Sequence, residues 1–145
     1  MSTKEVQEKL VDNMKKWQKI ENASIHSTGK IMDNTENQAI RQVMEIIQQD
    51  SSMHYRVQGL IADSLTKEAF SLNPEELADV WDMIESHIKL EKQTIEYAKE
   101  ALDALKGKKM VIQEYFLNYL MIDEEKHNQL LDTLEKIKSG MYPYG

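Results

Sequence analysis

Apolar residues recur at steps of three and four along four stretches of this chain, the spacing that lines one face of an α-helix. The first stretch carries Val6, Leu10, Met14, Trp17, Ile25 and Met32, and the second Ile40, Val43, Ile47, Val57, Ile61 and Leu65. The third shows Leu77, Trp81, Ile84, Ile88, Ile95, Leu102 and Leu105, and the fourth Ile112, Phe116, Leu120, Leu131, Leu134 and Ile137. Four such helices fill most of 145 residues, which predicts one all-α domain with a real core. Thr35, with Gln38 three residues on, is expected to open the second helix as a capping box. Asn73 as cap, Pro74 at the first helical position and Glu76 within reach of the cap should open the third, and Gly107 should stop it. Residues 1–138 are thus expected to form a helical bundle and residues 139–145 a C-terminal tail.

Polar residues occupy the gaps in these stripes, at positions where a core side chain belongs. Glu21 sits between Trp17 and Ile25, and Asp50 and His54 sit between Ile47 and Val57. His87 and Glu91 sit between Ile84 and Ile95, and Glu124 and His127 between Leu120 and Leu131. Ionisable groups buried without partners cost several kcal/mol each, so seven on four core stripes call for a shared compensating cation. Carboxylate oxygen together with imidazole nitrogen suits iron, manganese or zinc, whereas magnesium and calcium prefer oxygen alone. Glu124 and His127 are three residues apart and project from one helix face, so both can grip one ion. Glu91 and Glu21 are then the carboxylates from the neighbouring helices. His87, one turn from Glu91, reads as an extra or outer ligand or as a satisfied core histidine; His26 lies off the stripe and reads as surface.

The two halves of the chain also echo each other. KIENASIHSTGKIMD (19–33) aligns without gaps with KLEKQTIEYAKEALD (89–103), and Asp50 and His54 answer Asp123 and His127. The chain therefore reads as two similar helical hairpins. Glu91 lies 16 residues before Gly107 and Glu124 lies 17 after it, so an antiparallel third and fourth helix would bring these ligands level. Between the second and third helices the same arithmetic misses by about 10 Å at ~1.5 Å per residue, which predicts a crossover through residues 65–72 rather than a tight turn.

On these residues the chain resembles the ferritin-like di-iron carboxylate superfamily, and rubrerythrin-type proteins within it. That pattern takes one Glu from each of two helices and Glu-x-x-His from each of the other two. Glu21, Glu91, Glu124 and His127 match it. The second helix departs from it: His54 is present, but Ser51 stands where the Glu is expected, and Asp50, one residue earlier, is the candidate substitute. The resemblance covers about residues 10–135. It implies a ferritin-like four-helix bundle of two hairpins with a crossover connection, two iron ions on Glu21, Asp50, His54, Glu91, Glu124 and His127, and reduction of peroxide or oxygen. Iron storage or detoxification in a larger assembly, and a bundle keeping one structural metal as an interaction module, are the alternative functions.

Charge and composition bound the partners. The net charge of −7 argues against nucleic acid or an anionic membrane surface as a partner, since either needs a basic patch. There is no cysteine, so disulfides, thiolate metal sites and the Cys-bound iron module of full-length rubrerythrins are absent, and electrons must come from a separate donor protein. Residues 1–9 are polar, with no apolar leader core, and no 18-residue apolar run occurs. A cytoplasmic protein, assembled as a homodimer, is the expectation.

Overall fold

The computed structural model describes residues 1–140; of the tail expected at 139–145, residues 141–145 lie outside the described residues. Four helices run in the order α1 (Thr3–Asp33), α2 (Gln38–Thr66), α3 (Pro74–Ala104) and α4 (Val111–Lys138), and there is no strand among the described residues. No helix among them is long and apolar enough to cross a membrane. The chain divides into two compact units, residues 1–70 with α1 and α2, and a second from Ser71 onward with α3 and α4. Each unit is a helical hairpin.

Local chemistry sets the helix ends. Ser2 caps α1 in a full capping box: its Oγ accepts from the Glu5 backbone N–H at 3.2 Å, and the Glu5 carboxylate accepts from the Ser2 N–H at 2.7 Å. The helix therefore begins well before Val6, the first residue of the apolar stripe. The expected Thr35 cap of α2 is displaced by two residues. Asn37 is the cap, its Oδ1 accepting from the Ile40 N–H at 3.1 Å, while Thr35 Oγ1 accepts from the Asn37 N–H and shapes the turn. Arg41 then reaches back with Nη1 to the carbonyl of Met32 and secures the end of α1. Asn73 and Pro74 open α3 as expected, Asn73 Oδ1 accepting from the Glu75 N–H at 2.8 Å. Gly107, at a φ of +75°, lets the chain leave α3 in a conformation that a side chain would strain.

Two helices cannot enclose a core, and neither hairpin does. Met14 and Ala62 are buried in the first, and Leu77, Ala98 and Ile137 in the second. Several stripe residues stay exposed. Trp17, expected in the core, is half exposed, as are Val57 and Leu120, and Ile20, Leu90 and Leu130 are more so. The seam of the first hairpin is notably polar, with Glu21, Thr28, Ser51 and Gln58 all buried. Thr28 turns its hydroxyl onto its own helix, at 2.8 Å from the Ser24 carbonyl, and so enters the seam without an unpaired donor. Gly59 serves the same seam: a Cβ there would lie 3.0 Å from Gln18 Nε2, the atom that donates to the Tyr55 carbonyl across the hairpin.

Candidate metal centre

The second hairpin assembles the full three-donor group expected of it. Glu91 is buried at the middle of α3, and Glu124 and His127 share one face of α4, half-buried. One ligand atom of each lies within 4.8 Å of the others. His127 Nδ1 is 3.4 Å from Glu91 Oε2 and 3.6 Å from Glu124 Oε2. An ion about 2.1 Å from each donor would hold neighbouring donors roughly 3.0–3.5 Å apart, so the group fits one ion with small side-chain adjustments.

A surrounding layer of groups orients these donors. The Thr94 hydroxyl lies 2.9 Å from Glu124 Oε2 and 2.7 Å from the Glu91 carbonyl, and its single proton serves one of them at a time. His127 turns Nε2 to Asp123, 3.6 Å from Oδ2, and Asp123 in turn pairs with Lys126 at 2.8 Å. The 3.6 Å from His127 to Asp123 is an ion-pair approach and longer than a hydrogen bond; a carboxylate on this side favours the tautomer with its N–H at Nε2, which leaves the Nδ1 lone pair for an ion. His87 Nε2 sits 2.9 Å from Glu91 Oε1.

The two glutamates are electrostatically unequal. Hydrogen bonding with the Glu124 carboxyl holds Glu91 below its ordinary value, with help from His127 and His87 and against the effect of burial. Glu124 is pushed up, first by Glu91 as its hydrogen-bond partner and then by burial, while Thr94 and His127 pull the other way. The two carboxyls therefore titrate as a pair in which Glu124 holds its proton longer than Glu91, and a cation at this point competes with that proton.

The first hairpin brings together two of its three expected donors. His54 Nδ1 is 3.6 Å from Oε1 of the buried Glu21, although His54 itself is largely exposed. Gln58 Nε2 donates to the same oxygen at 3.3 Å. Ser51, at the place of the missing Glu, is buried with its Oγ 2.8 Å from Ser24 Oγ. Asp50 is half-buried, and its side chain forms no hydrogen bond or ion pair with any described residue. His87 is exposed although its stripe position predicts burial, and His26 lies at the surface as expected. Sequence reasoning passed over Ser24, Gln58 and Thr94, and named Asp123 in the repeat without giving it a role at the site. The repeat carried the signal for three of them: Ser24 aligns with Thr94, and Asp123 lies four residues before His127, on the same helix face.

The fold and site thus define, over the described residues, two helical hairpins, one of which carries a carboxylate–histidine group that could hold a metal ion. Comparison with protein-family models, with curated proteins and with solved structures finds no match.

Proposed function

We propose that this chain is a metal-binding protein whose principal site is Glu91, Glu124 and His127, with iron as the first expectation and manganese or zinc as the alternatives. The convergence of these three donors within 4.8 Å carries the reading, and Asp123, Thr94 and His87, each engaging one of the donors, support it. The finer proposal is a rubrerythrin-like, non-haem iron oxidoreductase on a ferritin-like four-helix bundle with a crossover connection, acting as a homodimer. Bound iron would supply one-electron chemistry toward peroxide or oxygen, with electrons from a separate protein. The chain's own residues would hold the ion through Glu91, Glu124 and His127, with Asp123 facing the Nε2–H that His127 keeps. Glu21, His54 and Asp50 would make a second, weaker position.

The Ser24–Ser51 hydroxyl pair favours a second reading, in which one ion is held for structure and no redox reaction occurs, since it stands where a second Glu-x-x-His would complete the pattern. Anaerobic loading with ferrous ion followed by elemental analysis tests the common claim. Below about 0.2 metal per chain, binding is refuted. Consumption of peroxide by the loaded protein with an added reductant separates the oxidoreductase from the structural reading.

A further inference from the structure

His87 belongs to no three-donor group among the described residues, and its geometry gives it a different task. It lies one turn before Glu91 on α3, with Nε2 2.9 Å from Glu91 Oε1. The other oxygen of Glu91, Oε2, is the one turned toward His127, 3.4 Å from Nδ1. An ionised carboxylate only accepts, so the His87 Nε2 carries a proton and donates it. The two oxygens of Glu91 are thus divided between an N–H donor on one side and the ligand group on the other.

We infer that His87 is a positioning residue that reserves Glu91 Oε1, so that Glu91 offers a metal ion one oxygen and leaves a coordination position open to a small exogenous ligand such as water. The inference rests on the metal-binding reading above and adds how the ion is held. Glu91 is buried whereas the His87 side chain is 56% exposed, so this hydrogen bond fixes the carboxylate's orientation with little desolvation of the ring. The first hairpin also gives its buried glutamate an N–H donor, although there the donor and His54 face the same oxygen. There the position aligned with His87 is Trp17, and an oxygen of the buried Glu21 is held instead by Gln58 Nε2 from the opposite helix. Two different residues on two different helices meet one need, an N–H donor on the buried glutamate, which argues against an incidental surface pair.

Cobaltous ion is a suitable probe because its visible bands weaken as coordination number rises. The full chain, His87→Ala and His87→Gln are titrated with cobalt, with far-UV circular dichroism to establish that each is helical. The parent is expected to bind cobalt and show its visible bands. In His87→Ala, Glu91 is released to close on the ion with both oxygens: the bands weaken and affinity falls by about tenfold or more. In His87→Gln the amide Nε2–H stands in for the ring Nε2–H, so the parent's spectrum returns and affinity stays within about threefold. A His87→Ala spectrum identical to the parent's overturns the inference. So does a His87→Gln spectrum that matches the Ala variant, because imidazole itself would then be the ligand. Absence of cobalt binding in the parent refutes the metal reading instead, and is distinguished by that.

Discussion

Replacing Ser51 by Glu would restore the Glu-x-x-His spacing to His54 in the first hairpin, and its cost and gain can both be worked from the seam. Ser51 is 6% exposed and its hydroxyl is bonded to Ser24 at 2.8 Å. The substitution breaks that bond, a loss of about 1 kcal/mol. It also inserts a longer side chain into a packed position, at about 1–3 kcal/mol. A second carboxylate near Glu21 adds repulsion in the same direction. The metal-free variant should therefore be less stable than the parent by about 2–4 kcal/mol, measured as a lower urea midpoint at unchanged slope. With Glu21, the introduced carboxylate and His54 around one point, added metal should reverse this. A free concentration about a thousandfold above Kd stabilises by about 4 kcal/mol, enough to recover the loss. Metal content should rise toward two per chain, and the midpoint should rise more on metal addition than the parent's does. A variant as stable as the parent without metal, with unchanged metal content, would refute this account of the first hairpin.

Glu124→Ala should reduce metal content far more than Asp50→Ala, since only Glu124 lies in the three-donor group; elemental analysis of both variants decides it. Metal binding should strengthen as pH rises through the raised value of Glu124, because the ion must displace its proton, and isothermal titration should detect proton release. Without metal, the stability linked to Glu124 is present below its ordinary value and lost as pH rises through its raised folded value. That linked to Glu91 is present above its ordinary value and lost as pH falls through its lowered one. Glu124→Gln donates an N–H at every pH, so denaturant curves of this variant should lack the loss on the alkaline side. Peroxide consumption by the iron-loaded protein, where present, should stop after one cycle until a reductant is added, since the chain has no cysteine to hold a relay cluster; sustained turnover with peroxide alone would contradict it.

The helices are legible in the sequence because their stripes are long and their breakers few: each apolar stretch falls within a helix apart from Leu105, the C-cap of α3, and Pro74 and Gly107 act where their backbone chemistry requires. The ends are less so. Ser2 starts α1 from outside the apolar pattern, and at α2 two nearby candidates, Thr35 and Asn37, compete for one cap. At the site, the three donors of the second hairpin are readable because a helix spacing of three and an antiparallel hairpin fix where such side chains meet. Stripe position predicts burial for His54 and His87, but periodicity gives a direction and not a depth. Both lie at the edge of their seam, where a long ring reaches inward to a buried glutamate while staying exposed.

The asymmetry of the two hairpins follows from how each one accommodates a single buried glutamate. Aligned by the repeat, Glu21 corresponds to Glu91, Ser24 to Thr94, Ser51 to Glu124 and Gln58 to Leu131. In the first hairpin the Gln58 amide supplies the charge-assisted hydrogen bond that Glu21 needs, a contact of about 1.5–3 kcal/mol, and the neighbouring positions are neutral hydroxyls that satisfy each other. Glu21 is compensated there without a cation. In the second hairpin Leu131 donates nothing and His87 supplies the N–H to Glu91 instead, but Glu124 adds a second carboxyl beside the first, and that added carboxyl is what a proton or a metal ion would compensate. The pressure to bind a cation is thus concentrated on Glu91, Glu124 and His127. A Gln58→Leu substitution would move that pressure to the first hairpin, leaving Glu21 with His54 as its one remaining partner.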